Sequence, residues 1–231
     1  MKRLLLALCV LLAGPAAADD LPPLRILLVG NSYLYTNDLP RELARQSAGG
    51  PMRLETTLLA RPDHGLAEHF RDGRLQRLLE QRWDWVVLQQ GPSALPASRH
   101  DLIENVARIK ALPGMAGTRL ALLSAWPQQR HVHMSLEAEA SYRLAASVAG
   151  ACVVPVATAW RLAREQTPRT RLYQHDGVHP TRLGTQLMAA VVRDALVAST
   201  PVTEGDATDV ERWSEAAIGG EAARCVPIQR Q

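Results

Sequence analysis

Lysine is almost missing from this chain: Lys2 and Lys110 are the only two, and every other fixed cation is arginine. No GxxxxGK and no GxGxxG segment occurs. Without a phosphate-cradling loop or a dinucleotide fingerprint, nucleotide chemistry is not expected. The arginines form no run, so the formal net charge of +3 does not mark a nucleic-acid surface. Aromatic residues make up only 4%, with a single phenylalanine, which argues against a long carbohydrate cleft paved with stacking rings. No long apolar insertion is present that could serve as a lipase lid. Cysteine is scarce too, at three residues, and none sits in a CxxC pair or a nucleophile motif.

What is present begins with a leader. Lys2 and Arg3 precede an apolar stretch, Leu4 to Leu12, and small residues at Ala16 and Ala18 close the segment. This pattern predicts a signal peptide over residues 1–18, cleavage before Asp19, and a periplasmic or secreted protein. The stretch is too short for a permanent membrane anchor. Cys9 follows Leu8, a bulkier residue than a lipoprotein signal uses. Removing the leader leaves 213 residues with a formal charge of +1, enough for one domain with a substantial core. Cys152 and Cys225 then remain, either joined as a disulfide, which export permits, or as free thiols.

Apolar, β-branched runs alternate with segments of helical period. Strands are expected at Leu24–Val29, Arg53–Leu59, Trp85–Gln89, Arg119–Ser124 and Cys152–Val156. Helices are expected at Leu39–Ser47, Leu66–Arg82, Asp101–Leu112, Leu136–Ala149 and Thr181–Ala198. Short continuous apolar strands separated by helices imply a parallel sheet covered on both faces. The fold class is therefore α/β, a three-layer α/β/α sandwich around a parallel, flavodoxin-like five-stranded sheet. Residues 19–200 are expected to form one domain. Pro201–Asp209 reads as a linker to a tail, 201–231, that either docks through Trp213 and the Cys152–Cys225 pair or stands out as an arm.

Sites in open α/β sheets form beyond the carboxyl ends of the strands. The residues there are Gly30-Asn31-Ser32 after the first strand, Gly65 after the second, "QQGPS" (Gln89 to Ser93) after the third, "AWPQQRHVH" (Ala125 to His133) after the fourth, and "YQHDGVHPT" (Tyr173 to Thr181) before the last helix. A serine nucleophile needs an imidazole to take its proton and a carboxylate to orient that imidazole. Ser32, His179 and Asp176 supply the three. Donors for a developing oxyanion are available from the N–H groups of Ser32 and Gly65, and from the side-chain amide of Gln89 or, failing that, Gln90. Gly30 lets the chain bend off the sheet. Asn31 is given no chemical role.

These motifs resemble those of the SGNH hydrolases of the GDSL esterase/lipase superfamily. Gly30-Asn31-Ser32 stands where that family carries its GDS-type nucleophile motif. Gly65 matches the oxyanion glycine by placement, and Asp176-Gly177-Val178-His179 matches the DxxH motif. The resemblance spans roughly residues 24–197. It departs at the third block, usually GxND, where this chain reads "VVLQQGPS". A branch of the superfamily with glutamine ending that strand is similar. The resemblance implies a serine carboxylic ester hydrolase without a cofactor, with Ser32 as nucleophile, His179 as base and Asp176 as acid. Its substrate is a small-molecule or glycan ester, foremost an O-acetylated carbohydrate or cell-envelope polymer, with lipase or thioesterase activity as the alternative.

Other readings remain open at this point. His131, His133, His175 and His179 could hold zinc in a metal-dependent hydrolase. The fold could also persist as a non-catalytic glycan-binding module. Trp126 could wall the substrate pocket or belong to the core. His64, His69 and His100 read as surface residues.

Overall fold

A computed structural model describes residues 22–50, 52–197, 207–220 and 225. The predicted leader and positions 201–206 of the predicted linker lie outside the described residues. Five strands, β1 (Leu24–Gly30), β2 (Leu54–Ala60), β3 (Trp85–Leu88), β4 (Arg119–Leu123) and β5 (Cys152–Val154), form one sheet in the order β2-β1-β3-β4-β5. Every neighbouring pair is parallel. This is the flavodoxin-like order, whose reversal beside β1 puts the site at that strand's carboxyl end.

β1 and β3 read as unbroken apolar runs because both faces are covered. Leu24, Ile26, Leu27, Leu28, Val29 and all four residues of β3 are buried. Each such side chain contributes about 2 kcal/mol of burial relative to exposure. The covering helices are α1 (Ser32–Tyr35), α2 (Leu39–Ser47), α3 (Leu66–Asp72), α4 (Arg74–Leu78), α5 (Pro96–Lys110), α6 (Ser135–Ala149), α7 (Val156–Gln166), α8 (Arg182–Leu196) and α9 (Asp209–Gly219). No helix among the described residues is long and apolar enough to cross a membrane.

The structure corrects several element boundaries. The helix expected over Leu66–Arg82 is two helices, α3 and α4, broken at Gly73, whose φ of 74° no helix interior adopts. α5 starts at Pro96, earlier than expected, because proline supplies a preset first turn. α7 was not expected: the β-branched run continues through Pro155 into Val156, where the chain already turns helical. The turn-rich segment before the tail ends in a helix, α9, capped reciprocally by Thr208 and Glu211. Trp213 and Ala217 of α9 are buried in the common core. Cys152 of β5 and Cys225 are joined as a disulfide, with Cα atoms 4.9 Å apart.

Candidate active site

Ser32 opens α1 immediately beyond β1, so the helix start points its side chain off the sheet edge. The preceding Gly30 is not in the left-handed region. What it provides is space: a Cβ there would lie 2.2 Å from Gln89 Oε1 and 2.7 Å from Leu34 Cδ1. Asn31 caps α1, its Oδ1 accepting the Tyr33 N–H at 3.2 Å.

The second half of the site is a tight loop before α8. Tyr173 pairs with Pro180, the Gln174 N–H donates to the His179 carbonyl, and the Thr181 N–H donates to the Leu172 carbonyl. At the tip, Gly177 has φ 67°, the left-handed turn that folds Asp176 back over its own following residues. Asp176 Oδ1 accepts the N–H groups of Val178 (2.8 Å) and His179 (3.0 Å). Its Oδ2 lies 2.6 Å from His179 Nδ1, and His179 Nε2 lies 2.8 Å from Ser32 Oγ. Residues far apart in sequence thus form one hydrogen-bonded chain. These partners assign the neutral ring's proton to Nδ1, leaving Nε2 to accept from the serine hydroxyl.

Burial is the largest single influence on the Asp176 carboxyl and raises its pKa. The hydrogen bonds from the His179 ring and the two backbone N–H groups outweigh it and bring the pKa from the ordinary 3.8 to about 2. The acid is therefore ionised across any physiological range and can orient the ring throughout.

A ladder of rings holds the two halves together. Tyr33 stacks on Trp126 with centroids 4.7 Å apart, Trp126 stacks on Trp160 at 3.8 Å, and Tyr173 meets Trp160 edge-on. The Trp126 Nε1–H donates to the Val178 carbonyl at 3.1 Å, and the Tyr173 hydroxyl donates to the Pro127 carbonyl at 2.7 Å. Trp126 is wholly buried, so it is the support of the DxxH loop and not the wall of the pocket. Tyr33, which sequence reasoning passed over, takes that place, its ring edge-on to His179. Burial raises the pKa of the Tyr33 phenol, keeping it neutral.

Beside Asn31 and Tyr33 opens a cavity of about 470 Å³. Its walls come from the loops after β2 (Asp63, His64, Gly65), β3 (Gln90 to Leu95) and β4 (Pro127, Gln128, His131), as expected for the carboxyl edge. Among the described residues, no lysine or arginine lines it, whereas Asp63 and Asp101 do.

Three expected donors sit differently from the sequence reading. The Gly65 N–H donates to Glu68 Oε2 at 2.9 Å, because Gly65 is the N-cap of α3 and the Glu68 carboxylate reaches back to it, the one half of a capping box that a glycine allows. Gln89 is fully buried: its Oε1 accepts the Asn31 N–H at 3.0 Å and its Nε2 donates to the Gln90 carbonyl at 2.5 Å, so the amide does not face Ser32. Gln90 borders the cavity, but its Nε2 is directed at Ser93 Oγ (3.0 Å) and Asp101 Oδ2 (3.4 Å), while its Oε1 faces the Leu66 N–H.

The histidines also separate. His131 and His133 meet edge to face on the loop after β4, and His175 is exposed. Among the described residues, no three His, Cys, Asp or Glu side chains are grouped to hold a metal ion, so the alternative zinc cluster of His131, His133, His175 and His179 is not assembled. His69 is not at the surface: it is fully buried, its Nε2–H donating to the Gly30 carbonyl at 2.7 Å. Burial lowers its pKa below the ordinary 6.5 and keeps it neutral. The i, i+3, i+4 spacing of Leu66, His69 and Phe70 is the signal that marks this inward face. His100 is exposed, and His64 borders the cavity.

With this sheet order and the hydrogen-bonded Ser32–His179–Asp176 chain, the protein is similar to solved SGNH hydrolases. Among solved structures, a protein of Slackia heliotrinireducens assigned to the SGNH hydrolases shares 29% identity and a TM-score of 0.64, covering 75% of this chain and 98% of that one. A DUF4886 family protein from Bacteroides uniformis shares the fold at 18% identity and a TM-score of 0.64, covering 85% and 93%. An acetylxylan esterase from Geobacillus stearothermophilus does so at 12% identity and a TM-score of 0.56, covering 74% and 92%. No protein-family model and no curated protein matches the sequence.

Proposed function

We propose that this protein is an exported serine esterase that removes small acyl groups, acetyl foremost, from uncharged hydroxyl-bearing molecules such as sugars. The observation that carries the reading is the single hydrogen-bonded chain from Ser32 Oγ through His179 to Asp176 Oδ2, opening beside a cavity. Ser32 Oγ attacks the ester carbonyl while His179 Nε2 takes its proton. The imidazolium formed is stabilised by ionised Asp176. The tetrahedral intermediate collapses as His179 returns the proton to the departing alcohol, leaving an acyl-enzyme. Water, deprotonated by the same nitrogen, then releases the acid and restores Ser32.

The charge of the cavity supports the substrate class. A wall that, among the described residues, carries Asp63 and Asp101 but no fixed cation disfavours anionic alcohols such as phosphorylated carriers, and its hydroxyl and amide groups suit a polyol. The acetylxylan esterase of the same fold agrees with this reading. A longer acyl chain is a second reading, favoured by Leu95 and Met134 on the lip, with Leu95 59% exposed. The deciding experiment is a series of p-nitrophenyl esters from acetate to dodecanoate, run beside O-acetylated sugars with wild type and Ser32→Ala. Turnover that falls with chain length and vanishes in Ser32→Ala supports the proposal. Equal rates in the two proteins, or loss with a chelator and rescue by zinc, overturn it.

A further inference from the structure

The oxyanion site lacks the donors its sequence motifs promise. Gln89 is locked away from Ser32 by two backbone partners, the Gly65 N–H is held by Glu68, and the Gln90 amide is directed at Ser93 and Asp101. A tetrahedral intermediate on Ser32 still needs more than the Ser32 N–H, since each such donor is worth about a hundred- to thousand-fold in rate.

The cavity-lining side chain next to Ser32 in sequence with an amide to offer is that of Asn31. Two partners orient the Asn31 carboxamide: its Oδ1 accepts the Tyr33 N–H at 3.2 Å, which turns Nδ2 toward the loop after β2, and the residue lines the cavity. One Nδ2 hydrogen reaches the His64 carbonyl at a long 3.4 Å. The other has no protein partner among the described residues. The Asn31 backbone is itself fixed, its N–H donating to the buried Gln89 Oε1 at 3.0 Å. Gln89 therefore acts through Asn31, clamping the backbone from which the carboxamide projects.

We propose that Asn31 is a catalytic residue whose side-chain N–H, with the Ser32 N–H, binds the oxyanion, and that Gln89 is the positioning residue behind it. In this chain the side-chain amide donor has moved from the end of the third strand to the nucleophile motif. The inference rests on the esterase reading above.

Asn31→Asp is the informative substitution, because it keeps the shape and the oxygen that caps Tyr33 but removes the N–H. Asn31→Ser keeps a neutral capping oxygen and shortens the side chain away from the oxyanion. Both should lower kcat on p-nitrophenyl acetate by about a hundred-fold or more, the worth of one donor. KM and the thermal midpoint should change little, and Ser32 should react with a neutral organophosphate more slowly in proportion. Gln89→Glu should lower kcat in the same direction.

Asn31→Asp and Asn31→Ser retaining wild-type kcat, while Ser32→Ala is inactive, would overturn this inference and leave the esterase intact. A loss confined to Asn31→Asp would also overturn it, by showing a charge effect. If wild type shows no Ser32-dependent turnover, both readings fall together.

Discussion

Gly30 is required for the room it leaves and not for a backbone conformation. A methyl group there must displace Gln89, which is buried and held at both ends of its amide. Gly30→Ala should cost about 1–3 kcal/mol, the usual range for overpacking, and should release Asn31 along with Gln89. Urea denaturation and kcat should therefore fall together. At Asp176 the expected behaviour concerns pH. A folded-state pKa near 2 against an ordinary 3.8 means the group stabilises the fold fully above pH 4, and that contribution is lost as pH falls from about 4 to 2. Asp176→Asn should remove that segment of the melting-temperature profile, and it should lower kcat at neutral pH by leaving the ring unoriented. Ser32, His179 and Asp176 were legible in sequence because their chemistry is stated by residue type and order. The destinations of Gln89, Gly65 and His69 were not, since each depends on which backbone group lies across a neighbouring strand or helix. A glutamine at a strand end reads the same whether it faces the cavity or the chain behind it.

The ring ladder sets how the elements carrying the site stay in register. Tyr33 comes from α1, Trp126 from the loop after β4, Trp160 from α7 and Tyr173 from the loop before α8, so one stack links the helix that carries Ser32 to the loop that carries His179. Trp126→Phe retains most of the stacked area but removes the N–H that holds the Val178 carbonyl. We expect a loss of about 0.5–1.5 kcal/mol for the missing hydrogen bond, and a fall in kcat with little change in KM as the DxxH loop loosens. Chemical denaturation and steady-state kinetics check the two parts. The five strands were readable because runs such as "RILLVG" and "DWVVLQ" are buried on both faces and carry no competing pattern. α7 escaped because its first residue prolongs the β-branched run of β5. The apolar spacing of Val156, Ala159, Trp160 and Ala163 is a helical period once Pro155 is taken as the switch. The break between α3 and α4 rests on one glycine inside an otherwise continuous helical pattern, which sequence periodicity cannot weigh.

For the molecule as a whole, the Cys152–Cys225 disulfide fastens the C-terminal segment to β5, the short strand at one edge of the sheet. The cysteines are 73 residues apart, and closing a loop of that size in the unfolded chain is worth about 4 kcal/mol in the chain-entropy account. Reductant, or the Cys152→Ser/Cys225→Ser pair, should lower the urea midpoint accordingly. It should leave kcat near wild type at low temperature, because no hydrogen bond of the Ser32–His179–Asp176 chain involves either cysteine. The bond also makes the last third of the protein a covalent ring, with Asp176 and His179 inside it and Ser32 outside. A protease that cuts once between Cys152 and His179 leaves Ser32 and His179 on separate pieces that the disulfide keeps together. Nicked protein should migrate as one species on a non-reducing gel and as two after reduction.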